Sequence, residues 1–272
     1  MVVDLEKSLG AKLHDSRTGK DYLDFFGCFG STPIGWNHPS LRSAPFQEKA
    51  FGALANRPSN SDLYSKEMAD FVQAFGKKAV PEGWNHLFFI DGGALAVENA
   101  LKVAFDWKVR KNRAAGMEGE VGTRVIHFEH AFHGRSGYTL SLTNTLPDKI
   151  LNFPKFPDWP RLPSPALNFP ETEAAIADVK VAEATALEQL DQILDSQGPE
   201  IAALILEPIQ CEGGDRYFRR EFFTALQDRC RAADVLFILD EVQTGFFTTG
   251  KPWCFEHYGL EPDIVVFGKK SQ

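Results

Sequence analysis

Five short apolar runs punctuate the chain, each closing on glycine or polar residues, and between them lie longer stretches whose apolar positions recur three and four apart. The runs predict strands over 86–90, 124–128, 202–206, 235–239 and 263–267. The stretches, rich in Ala, Leu, Glu and Lys, predict helices over 94–110, 171–196 and 220–233. Strands that alternate with helices in this way read as an α/β fold, a mostly parallel sheet with helices flanking it. No internal repeat is visible.

Two regions depart from the alternation. Residues 147–170 hold seven prolines in 24 positions, which excludes a helix or a central strand and predicts a long ordered loop or crossover. The first 60 residues carry Phe25-Phe26-Gly27 and Gly35-Trp36-Asn37-His38-Pro39 and read as an N-terminal arm, so the expected division is 1–60 for the arm and 61–272 for a large domain.

Composition narrows the class. With 43% hydrophobic and 24% charged residues the chain has the make-up of a soluble globular protein. A net charge of -8 and the lack of a basic stripe argue against nucleic acid and leave small molecules as partners. Cys28, Cys211, Cys230 and Cys254 lie far apart, so neither a zinc site nor a disulfide framework is expected and a reducing, cytoplasmic location fits. The N-terminus has no apolar signal region, and no run of about 18 apolar residues is present to span a membrane.

In an open α/β sheet ligands sit outside the carboxyl ends of the strands, so the residues after each run are the candidates for chemistry. Asp91-Gly92-Gly93-Ala94 stands between a strand and a helix, where free amides suit an anion and where glycines equally suit a tight turn. Phe132 is placed to stack on a ring and Arg135 to grip a carboxylate, unless the one is core and the other solvated; His133 reads as a structural hydrogen-bonder. Glu207 and Glu212 offer carboxylates for pairing or proton transfer, or for ordinary capping. Asp240 ends five apolar residues and is expected to be buried and paired, with Gln243 beside it, and the run over 263–267 ends in Gly268-Lys269-Lys270. An acid and an amine at matching strand ends suit pyridoxal phosphate, whose ring nitrogen stays protonated beside an anion and whose aldehyde condenses with a lysine.

Taken together and in order, Gly92-Gly93-Ala94, Phe132-His133-Gly134-Arg135, Glu207-Pro208-Ile209-Gln210, Glu212-Gly213-Gly214-Asp215, the stretch from Asp240 to Gly245 and that from Pro262 to Lys269 resemble the class III pyridoxal-phosphate-dependent aminotransferases along nearly the whole chain. Within that class the stretches 57–62, 92–102 and 140–145 look most like the L-lysine 6-transaminases; Asp158-Trp159-Pro160 and the Glu212 motif are shared with the 4-aminobutyrate aminotransferases. The absence of a cysteine at the turn before Gly93 favours the first group.

The resemblance implies a fold-type I large domain. It makes Lys269, 29 positions after Asp240, the lysine that bonds the cofactor, with Asp240 at the ring nitrogen, Gln243 at the phenolic oxygen, Gly93 and Ala94 at the phosphate and Phe132 on the ring. Arg135 would take the α-carboxylate of L-lysine, and Glu212 would pair with an arginine in one half-reaction and move aside in the other. The implied reaction passes the terminal amine of L-lysine to 2-oxoglutarate, giving 2-aminoadipate 6-semialdehyde and glutamate, in a homodimer; ornithine and 4-aminobutyrate are the alternative donors. Family members continue through a small C-terminal domain, whereas this sequence stops at Gln272, so the expectation is a truncated chain, with a non-catalytic remnant as the rival reading.

Overall fold

The computed structural model describes residues 1–56 and 62–271, so Arg57-Pro58-Ser59-Asn60-Ser61 of the lysine-transaminase-like stretch lies outside the described residues. Packing divides the chain into 1–87 and 88–272. The expected boundary at residue 60 falls among the residues outside that description.

In the first unit, β1 (Lys12–Asp15) and β2 (Lys20–Leu23) form an antiparallel hairpin in which Asp15 faces Lys20. Helices α1 (Ala44–Ala55) and α2 (Lys66–Lys78) follow, linked by Lys49 to Asp70 at 2.7 Å. Ser65 caps α2 by accepting the Met68 amide at 3.1 Å.

The second unit opens with α3 (Gly93–Ala114) and β3 (Arg124–Phe128), then the single turn α4 (Thr139–Leu142) and a two-residue strand, β4 (Arg161–Leu162). After these come α5 (Glu173–Gln197), β5 (Ile201–Leu206), the small ribbon of β6 (Ile209–Gln210) and β7 (Arg216–Tyr217), α6 (Arg220–Ala232), β8 (Leu236–Asp240) and β9 (Ile264–Val266). Five strands make one all-parallel sheet in the order β4-β3-β5-β8-β9. β5 is central, and all six of its residues are buried, as a strand covered on both faces requires.

Side chains alternate across the sheet. Val125, Ala203, Ile205, Ile238 and Val266 meet Val97, Leu101 and Ala104 of α3 on one face. On the other, the Phe128 ring meets Phe222 of α6 at 6.2 Å. The chain leaves β3 toward β4 on one side and returns to β5 on the other, so strand order reverses beside β3, where such sheets open a crevice.

The proline-rich segment is ordered, and it supplies the edge strand β4, paired with His127 and Phe128. Its anchor is aromatic: buried Trp159 stacks on Phe156 at 5.0 Å and 12° and on Tyr138 at 6.2 Å. The expected strand over 86–90 is corrected, because this stretch joins no sheet; the apolar run is real, but among the described residues β9 ends the sheet and offers it no ladder. Phe89 instead meets Phe267 ring to ring at 6.0 Å. Among the described residues no helix is long and apolar enough to cross a membrane.

Candidate active site

The carboxyl ends of β3, β5, β8 and β9 and the start of α3 enclose a cavity of about 270 Å³ lined by Gly93, Ala94, Phe132, Arg135, Glu207, Asp240, Gln243 and Lys269, with His133, Gly134, Ile209, Val242 and Thr244 between them. Seven of the eight site residues expected from sequence therefore meet at one place. Glu212 stands apart from the lining, on the turn after β6.

At the floor, Asp240 is 5% exposed and well supplied with donors: its Oδ2 lies 2.8 Å from His133 Nδ1 and its Oδ1 accepts the Val242 amide at 3.1 Å. His133 is itself buried, and among the described residues its Nε2 has no hydrogen-bond partner. The ring thus acts as the hydrogen-bonder the sequence suggested, aimed at the carboxylate.

The next residue, Glu241, points away from the cavity and organises its wall. Fully buried, it accepts the Thr244 hydroxyl at 2.6 Å and the amides of Cys254 and Phe255 at 3.0 and 2.8 Å, which ties the turn after β8 to the following short helix. Burial pushes its carboxyl above the usual range.

The two lysines after β9 have different surroundings. Lys269 lines the cavity in a left-handed backbone conformation (φ 53°). Lys270 donates to the carbonyls of Val242 and Gln243, and burial, with the charge of Lys269 next, pushes its amine down to about 8. One amine faces the ligand space; the other fastens the loop that carries Gln243.

At the opposite wall the first turn of α3 presents free amides. Gly93 belongs there for a steric reason: a Cβ would lie 2.9 Å from Val242 Cγ1. Gly134 is held as closely, since a Cβ would meet that of Ala94 at 2.5 Å. A helix start and the strand-end loops can approach only because both positions lack a side chain.

Phe132 donates its amide to Glu207 Oε2 at 3.0 Å, and its ring lies 5.3 Å from the Lys149 ammonium. Arg135 is exposed at the cavity margin. Glu212 pairs with Lys149, a lysine of the proline-rich segment, rather than with an arginine. Nothing local marked Lys149, because its position depends on how a long loop returns to the sheet. The Cys211 thiol nearby is pushed up to about 11, chiefly by burial.

A parallel sheet whose strand-end cavity combines a helix N-terminus, a buried acid held by histidine, and a lysine amine is the fold-type I arrangement of pyridoxal-phosphate enzymes. The chain belongs to the class-III aminotransferases, whose family model matches residues 1–272. It is 49% identical to an L-lysine-epsilon aminotransferase of Mycobacterium bovis over 273 residues, covering 100% of this chain and 60% of that protein. A 4-aminobutyrate aminotransferase of Schizosaccharomyces pombe is 36% identical, covering 99% of this chain and 60% of its own length. A solved lysine aminotransferase of M. tuberculosis superimposes with a TM-score of 0.95 at 48% identity, over 100% of this chain and 62% of that one. The chain thus spans about three fifths of the relatives it matches.

Proposed function

We propose that this chain carries the cofactor-binding part of an aminotransferase that passes the terminal amine of L-lysine to 2-oxoglutarate, giving 2-aminoadipate 6-semialdehyde and glutamate. The observation that carries the reading is that Lys269, Asp240 and the glycine-led start of α3 face one cavity. The residues fit pyridoxal phosphate: Gly93 leaves room where a Cβ would collide, free helix amides suit the phosphate, and Asp240 is a buried anion. Lysine as donor is supported by the 49% identity to a lysine aminotransferase, against 36% to a 4-aminobutyrate enzyme.

In this reading the amides of Gly93 and Ala94 bind the phosphate, Phe132 provides a flat apolar wall, and Gln243 hydrogen-bonds the phenolic oxygen. Asp240, fixed by His133 and the Val242 amide, holds the proton on the ring nitrogen. When bound, the cofactor supplies an electron-withdrawing pyridinium next to the amine-bearing carbon. Arg135 takes the α-carboxylate, which would leave the far amine of lysine at the cofactor aldehyde, where it frees the Lys269 amine. The freed Lys269 Nζ would then take a proton from the amine-bearing carbon of the substrate and hand it to the adjoining carbon of the cofactor. Glu212, paired with Lys149, is the group that changes partners when an acceptor with two carboxylates replaces lysine. The full protein is proposed to be a homodimer, and four free cysteines suit the cytoplasm.

The test is to add pyridoxal phosphate, reduce with borohydride and map the adduct. Lys269 is the expected site, and an adduct on Lys270 would overturn the assignment. With lysine, ornithine and 4-aminobutyrate compared side by side as donors, lysine should convert the chromophore fastest; a preference for 4-aminobutyrate would reject the donor.

A further inference from the structure

Glu207 is a buried acid in the cavity wall for which the chemistry above has no task. It follows β5, is 6% exposed, and receives one donor, the Phe132 amide, on Oε2. Among the described residues it has no ion-pair partner. The groups that act on it electrostatically come from three elements: Asp240 at the end of β8, Lys269 after β9, and Glu212 on the turn after β6, where Cys211 also lies.

Asp240 is the better-supplied carboxylate of the two, with an imidazole and an amide on separate oxygens. Glu212 has its own cation in Lys149, so among the described residues the cavity lining sets one lysine amine, Lys269, and Arg135 at its exposed margin against two buried acids. Where two carboxyls share a buried site, one ionises and the one with fewer hydrogen-bond donors keeps its proton. By count of donors, the group that keeps it is Glu207.

We propose that Glu207 is a neutral acid in the resting site and donates its O–H to an electron-rich ligand atom in the cavity, which leaves Asp240 as the sole anion there. Burial, followed by the charge of Asp240, pushes the Glu207 carboxyl well above its usual range, in the same direction. A neutral acid adds a hydrogen-bond donor without a second negative charge to compete with Asp240 for a ring proton or to repel a phosphate. The protonation stands on this chain's own geometry; its use toward the cofactor rests on the function proposed above.

Infrared difference spectra of the ligand-free chain, wild type against Glu207→Gln, test the proton directly. A protonated-acid carbonyl band at neutral pH that vanishes in the variant is expected. Its absence from wild type, with circular dichroism showing both proteins folded, overturns the proposal. In Asp240→Asn the band should be lost at a lower pH than in wild type, and an unchanged midpoint overturns the pairing of charges. With pyridoxal phosphate bound, Glu207→Gln should keep the chromophore's pH midpoint and bind within about twofold, while Glu207→Ala should bind about tenfold more weakly. Equal shifts in Gln and Ala would mean that an anion had been removed. Failure of wild type to bind the cofactor would reject the proposed function and leave the infrared result to judge Glu207.

Discussion

Glu241 sits next to the acid that faces the ligand space, yet its work is structural. A fully buried carboxylate that receives a hydroxyl and two amides fixes the turn after β8, and with it Val242, Gln243 and Thr244. Glu241→Ala would strand two backbone donors and is expected to destabilise the fold by about 3 kcal/mol, read as a fall in the midpoint of urea unfolding. A change below about 1 kcal/mol would show that water replaces the carboxylate. His127 gives a second prediction at this scale. Burial, with the Arg161 charge next, pushes its pKa down to about 3 from 6.5. The unfolded chain therefore takes up a proton below 6.5 that the folded one refuses, so stability is intact above 6.5 and falls as pH drops toward 3. The loss from this group is on the order of 4 kcal/mol, and His127→Gln should flatten that part of the stability–pH profile. Sequence exposed Asp240 because an acid after five apolar residues must be paired; it did not expose Glu241, whose two backbone donors lie more than ten positions away and appear only when the loop closes.

Among the elements, α3 lends its first turn to the cavity wall, and that start is set by contact with the loop after β8. Gly93→Ala places a methyl against Val242 and should cost about 1–3 kcal/mol while weakening cofactor binding more than tenfold, measured by thermal shift with and without pyridoxal phosphate. Thr172→Ala removes the cap that accepts the Ala175 amide at 3.2 Å and should cost about 1 kcal/mol without touching binding, which makes it a control for general loosening. The long helices and four of the five strands were legible from periodicity, since their patterns are local. The stretch 86–90 misled because an apolar run becomes a strand only beside a partner. β4 was hidden for the converse reason: two residues after a proline form a strand solely because β3 is there to receive them.

At the scale of the whole molecule, the parallel sheet gathers residues distant in sequence onto one edge. The candidate site was legible to the extent that each strand end announces itself; what the sequence lacked was the reach of side chains such as Lys149 across a loop. The division between Leu87 and Phe88 yields a further expectation. Phe88 is 66% exposed in a stretch outside any sheet, so brief chymotrypsin treatment should leave a persistent product that begins at or after it. Loss of the sheet-bearing unit before the first unit would contradict this. The proximity of Gly268 to Gly93, where a Cβ on the former would lie 3.4 Å from the Cα of the latter, reaches into biogenesis. On the ribosome the helix start emerges long before the lysine it must meet, and loop closure over that span comes late. On the function proposed above, a ligand held between them binds only after both stretches have emerged and met, so uptake of the cofactor would serve as a clock for that closure.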